Sequence, residues 1–175
     1  DTHEDVELVY PVHLSPVVRE AAAKYLSGHP RIHLIDPLDV EEMHNLMARC
    51  YLVMTDSGGL QEEAPALGRP VLVLRRETER PEAVEAGTVK IAGTEEADVY
   101  QLAHTLLTDA NAYGEMAHAV NPYGDGQACR RKNLNGGVNP IWRWGSGREK
   151  PNNLCGAYCH CDCDRGVFQF RPQSV

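Results

Sequence analysis

The residues best suited to chemistry lie together in Thr55-Asp56-Ser57-Gly58-Gly59-Leu60-Gln61-Glu62-Glu63-Ala64. An apolar stretch, Tyr51 to Met54, runs into them, and a helix-forming stretch follows. Gly58 and Gly59 let the backbone turn tightly and approach a ligand, while the free amides and dipole of the following helix attract an anion. Ser57 adds a hydroxyl donor. A phosphate or diphosphate is the ligand this turn fits. Glu62 and Glu63 fall within the first turns of the same helix, where a carboxylate can accept hydrogen bonds from ribose hydroxyls, as the acidic residue of dinucleotide folds does. The same residues also fit a tight turn whose glutamates merely complement the helix dipole. The motif alone does not separate the two, since it is neither GxGxxG nor a Walker A loop.

Histidine offers less. His13, in Pro11-Val12-His13-Leu14, lies just past an apolar run, at the expected edge of a cleft or as a solvated loop side chain. His44 falls beside an apolar helical stripe, which favours packing. His3, His29, His33, His104 and His118 lack the spacing of a metal site.

These residues are positioned by alternating strands and helices. Val6 to Val12 is a nearly continuous apolar run; Val17, Val18, Ala21, Ala22, Tyr25 and Leu26 then recur at helical spacing. Ser15 suits the N-cap of that helix, Pro16 its first position and Gly28 its left-handed end. A strand over Arg31 to Ile35 follows. Asp39-Val40-Glu41-Glu42 resembles a capping box that opens a helix with Val40, Met43 and Met47 on one face. Strands at Cys50 to Met54 and Val71 to Leu74 bracket the Gly-rich turn and a short helix. A charged loop, Arg75 to Gly87, leads to a short strand near Thr88 to Ala92 and an amphipathic helix through Val99, Leu102, Ala103, Leu106 and Leu107. Strands without polar alternation are buried on both faces, so the pattern predicts a doubly wound parallel α/β sheet over residues 5–130. Ligands of such sheets bind beyond the carboxyl ends of the strands, where the Ser57 turn falls.

The run TDSGGLQEEAPALGRPVLVLRRETERPEAVEAGTVKIAGT, residues 55–94, strongly resembles the C-terminal half of the non-hydrolysing UDP-N-acetylglucosamine 2-epimerases. VYPVHLSPVV (9–18), HLIDPLDVEEMHNL (33–46) and NPYGDGQA (121–128) resemble the same family in the same order, so the likeness covers residues 6–131. It implies a GT-B architecture, in which two Rossmann-like domains close on a nucleotide sugar. It also implies interconversion of UDP-GlcNAc and UDP-ManNAc, with no cofactor and no metal, by a cytoplasmic enzyme that is a homodimer when complete; a nucleotide-sugar-binding module without catalysis and a GT-B glycosyltransferase-type domain are the alternatives. By the same resemblance Ser57, Gly58 and Gly59 hold the diphosphate, Glu63 the ribose and Arg80 the nucleotide; Met43 stands where the family often has an aromatic against uracil. An arginine fork suits a diphosphate, although a surface ion pair is the plainer role for Arg80. His13 falls in a segment that lines the domain interface, where many bacterial members bind a regulatory UDP-GlcNAc. The family's catalytic acid and bases come from a part preceding Val6, so no catalytic residue is expected within these 175 residues, and an N-terminal domain would have to supply them.

Composition changes near residue 129. Residues 1–128 hold 9 Lys and Arg against 22 Asp and Glu, whereas residues 129–175 hold 8 against 3. Both tryptophans, both phenylalanines and five of the six cysteines lie in the second part. The expected division is a UDP-sugar-binding domain over 1–131 and an irregular, basic, Cys-containing tail over 132–175, without helical or strand periodicity and disordered. A shifted reading frame would explain its abrupt start. Its crowded Cys155, Cys159, Cys161 and Cys163 fit zinc poorly, and one Trp142-Arg143-Trp144 patch is too little to imply nucleic acid. No apolar run approaches the 18 or so residues of a membrane span, and Asp1 to Asp5 is acidic, unlike a signal peptide.

Overall fold

A computed structural model describes residues 1–124 and the backbone of residues 166–170. The expected alternation is present: β1 (Glu7–Pro11), α1 (Pro16–Leu26), β2 (Ile32–Ile35), α2 (Val40–Arg49), β3 (Leu52–Thr55), α3 (Gly58–Ala66), β4 (Val71–Val73), α4 (Pro81–Glu85), β5 (Val89–Ile91), α5 (Glu96–Thr108) and α6 (Ala110–Ala117). A last strand, β6 (Gly166–Phe170), completes a six-stranded sheet of order β2-β1-β6-β3-β4-β5. β1 pairs in parallel with β2, and β3, β4 and β5 pair in parallel with one another. β6 lies between β1 and β3 and runs antiparallel to both. This differs from a tail without strand periodicity. The cause is not local to 166–170: the backbone edges of β1 and β3 face each other across one strand's width and would otherwise be unpaired.

Alternating residues of the central strands feed two cores. Val53, Val71, Val73 and Val89 join Met43 and Met47 of α2, Leu60 and Ala64 of α3 and Ala83 of α4 on one side. Leu52 and Leu72 point the other way, toward Leu106 of α5 and Met116 of α6. Helices on both faces therefore bury β4 completely and β3 at every residue but Met54, which is half-buried.

Local signals act as their chemistry dictates. Asp39 accepts from the Glu42 amide at 2.8 Å while the Glu42 carboxylate accepts from the Asp39 amide at 3.2 Å, which is the full capping box. Gly28 takes φ +84° after the end of α1. Ser15 occupies the N-cap of α1 without a side-chain capping bond. Two helices were not evident in the periodicity. α4 starts at Pro81 inside the charged loop, and α6 follows α5 directly because Asp109 accepts from the amides of Asn111 and Ala112. Tyr113 then stacks on Tyr51 with ring centroids 4.1 Å apart, which seats α6 against the start of β3.

Candidate functional site

Because the strands are parallel, the loops after β1, β3 and β4 open on one edge of the sheet. The Thr55-Asp56-Ser57 loop follows β3 and leads into α3. Its Ser57 amide donates to Thr55 Oγ1 at 3.0 Å, and Ser57 is 7% exposed at the N-cap of α3. The Ser57 side chain makes no capping bond. Gly58 and Gly59 are the first residues of α3, and neither has a positive φ. The turn therefore does not use glycine's left-handed region. A methyl group on Gly58 would lie 3.7 Å from Glu79 Oε2 and 3.8 Å from Arg80 Nη2, so the arginine loop rests directly over the glycine turn.

A hydrogen-bonded chain fixes that loop. Gln61, buried one turn after Ser57, donates from Nε2 to the Ser57 carbonyl at 3.2 Å and accepts from Thr78 Oγ1 at 2.5 Å. Thr78 Oγ1 in turn accepts from the Arg80 amide at 3.0 Å. A buried amide side chain with both ends satisfied holds one geometry, because breaking either bond leaves a polar group unpaired away from water. Arg80 is pinned from the other side by Glu62, whose carboxylate accepts from Nε; the pair is about one-third exposed. That bond raises the Arg80 pKa above its ordinary value, so the guanidinium stays charged at every accessible pH. Its Nη1 donates to the Glu79 carbonyl at 3.2 Å.

Glu63 points elsewhere on the same helix and accepts from, or shares a proton with, His44 Nε2 at 2.8 Å. His44 is thus not a packing residue: it lies on the exposed side of α2 and orients Glu63. The Asn121-Pro122-Tyr123-Gly124 segment closes the group. Asn121 Nδ2 donates to the Glu62 carbonyl at 3.4 Å, and Tyr123 Oη lies 3.4 Å from Glu82. Burial, then the charges of Glu82 and Glu62, raise the Tyr123 pKa.

Of the residues anticipated from sequence, Ser57, Gly58, Gly59 and Arg80 come together at the start of α3, while Glu63, further along the helix, pairs with His44. Met43 does not join them: its side chain is 4% exposed and packs in the core with Met47 and Val53. His13 sits past β1 on the same edge of the sheet, its Nδ1 accepting from the Ser15 amide at 3.1 Å. Gln61, Thr78 and His44 were not anticipated. The i, i+4 spacing of Ser57 and Gln61 was a usable signal, whereas nothing local couples His44 to Glu63.

Comparison with known proteins places this chain in a family. The model of a family described as UDP-N-acetylglucosamine 2-epimerase matches residues 1–132. The chain belongs to this family. It is 55% identical over 155 residues to a UDP-N-acetylglucosamine 2-epimerase of Bacillus subtilis, covering 87% of this chain and 39% of that protein. An S. aureus structure solved with UDP superposes with a TM-score of 0.68 at 55% identity, over 71% of this chain and 34% of the other. A Neisseria meningitidis UDP-GlcNAc 2-epimerase bound to UDP-GlcNAc also gives 0.68, at 44% identity, over 72% of this chain and 34% of its own. The chain thus spans between one-third and two-fifths of these epimerase-family relatives.

Proposed function

We propose that residues 1–124 form the UDP-binding part of a UDP-N-acetylglucosamine 2-epimerase. The observation that carries this is the clamping of Arg80 over Gly58 by Glu62 on one side and by Thr78, Gln61 and Ser57 on the other. A diphosphate at the start of α3 meets free amides, the positive end of a helix dipole and a preset guanidinium. Glu63, oriented by His44, accepts from ribose hydroxyls. The S. aureus structure was solved with UDP and the N. meningitidis enzyme bound to UDP-GlcNAc, in keeping with this assignment. Met43 supports the uracil pocket from beneath, as part of its floor, and His13 faces the cleft from β1.

In the reaction, a base removes the proton from C2 of the sugar as the C1–O bond breaks and UDP leaves, producing a glycal. UDP adds back at C1, and a proton returns to C2 on the opposite face to give UDP-ManNAc. The residues of this chain act on the leaving group: Arg80 and the α3 amides stabilise negative charge that grows on the diphosphate as it departs. The groups that move the C2 proton belong to a further domain, preceding this one in the complete enzyme. That enzyme is a cytoplasmic homodimer in this reading. Titration of the 15N-labelled chain with UDP tests the site: the amides of Ser57, Gly58 and Gly59 shift, whereas shifts confined to other loops contradict it.

A further inference from the structure

Glu79 holds a carboxylate where a phosphate would go. A methyl group on Gly58 would lie 3.7 Å from Glu79 Oε2 and 3.8 Å from Arg80 Nη2, so an anionic oxygen and the guanidinium share one face of the glycine turn. The neighbouring acids are tied elsewhere: Glu62 grips Arg80 Nε from α3, and Glu82 lies 3.4 Å from Tyr123 Oη. The Glu79 backbone is held, since its carbonyl accepts from Arg80 Nη1 at 3.2 Å. Its side chain is held less firmly. Glu79 Oε1 accepts from Arg75 Nη1 at 3.1 Å, in a pair whose side chains are 70% and 41% exposed, and exposed pairs of this kind contribute little energy. The contact orients the carboxylate without fixing it.

We propose that the Glu79 carboxylate is a second counter-ion of Arg80 that a diphosphate must displace, and that Arg75 is the positioning residue that draws it aside. This inference rests on the reading that the diphosphate binds over Gly58. Two anions cannot share that face: phosphate oxygens that accept from the first amides of α3 crowd Glu79 Oε2, and like charges repel strongly where protein replaces water. Withdrawal toward Arg75 relieves the repulsion only in part. The remainder grows with the charge of the ligand, which makes Glu79 a determinant of selectivity. A nucleotide sugar has its diphosphate esterified at both ends, whereas the terminal phosphate of free UDP carries a further negative charge above about pH 6. Glu79 therefore disfavours free UDP more than the nucleotide sugar, and so favours substrate over the leaving group at the same site.

The test is calorimetry at pH 8 with uridine, UDP-GlcNAc and UDP on the full chain, on Glu79→Gln, on Arg75→Gln and on the double variant. Glu79→Gln keeps the size of the side chain and removes its charge. It should tighten UDP about fivefold, UDP-GlcNAc by a smaller factor and uridine not at all, with the gain on UDP shrinking as salt is raised. Arg75→Gln should weaken UDP about threefold by itself and much less in the Glu79→Gln background, the non-additivity expected of two residues that act through one contact. Unchanged or weaker UDP binding by Glu79→Gln, equal gains for all three ligands, or equal Arg75→Gln losses in both backgrounds would overturn the proposal. Arg80→Ala, measured alongside, separates the two claims. A UDP-selective loss there without a gain from Glu79→Gln defeats this proposal alone, whereas failure of all the chains to bind UDP defeats the diphosphate reading and this proposal with it.

Discussion

Arg80 is the residue on which the site turns, because it is the cation that the hydrogen-bond chain from Ser57 through Gln61 and Thr78 sets over the start of α3. Glu63 makes a separable contribution. Glu63→Gln should weaken UDP and uridine alike by roughly 1–3 kcal/mol, the worth of a charged hydrogen bond, and His44→Ala should produce the same pattern at smaller size. Calorimetry with both ligands distinguishes this from a general loss of folding. Cys50 provides a check on packing. It is buried, and desolvation pushes its thiol up to about 12. A pKa raised on folding stabilises the native state fully below the unfolded thiol's value, and that stability is lost as pH climbs toward the folded one. Native protein at pH 8 should therefore leave Cys50 unlabelled by a thiol reagent, read by peptide-resolved mass spectrometry, with labelling in urea; rapid native labelling would contradict the packing. Ser57, the two glycines and Arg80 were legible as types in a run of sequence. The partners that fix them, Glu62 to Arg80 and His44 to Glu63, join residues 18 and 19 positions apart and carry no local signature.

At the scale of elements, the site depends on α2 and α3 docking over the same core. Asp39→Ala removes the capping box of α2 and should cost about 1 kcal/mol. Leu72→Ala, emptying a fully buried position on the opposite face of the sheet, should cost about 2–5 kcal/mol. Urea titration measures both, and equal losses would mean that the two-sided core is wrong. Most elements could be read from periodicity, because each buries one side and the apolar spacing records which. α4 is five residues long, too short for a period to show, and α6 is defined by a cap at Asp109 rather than by a break in composition. β6 is set by a slot elsewhere in the sheet, and that information does not reside in residues 166–170. Met43 shares a helical stripe with Met47, and that stripe, legible in the sequence, places its side chain in the core.

For the whole molecule, charge and aromatic content change near residue 129, and the family match ends at 132. The cysteines and tryptophans beyond residue 128 lie outside the described residues, so the division into a binding domain and an irregular tail stands as an expectation. Among the described residues no helix is long and apolar enough to cross a membrane. Since general acid–base catalysis requires groups within hydrogen-bond reach of the C2 proton, residues 1–175 alone should not turn over UDP-GlcNAc. Entry of solvent deuterium at C2 during incubation with the chain alone would contradict that. The most direct measurement of the central claim is calorimetry of UDP and uridine on the unsubstituted chain and on Arg80→Ala. UDP should bind the unsubstituted chain at millimolar concentration or below, and Arg80→Ala should weaken UDP at least tenfold more than uridine. Equal effects on the two ligands, or no binding of UDP at millimolar concentration, would contradict the placement of the diphosphate beneath Arg80.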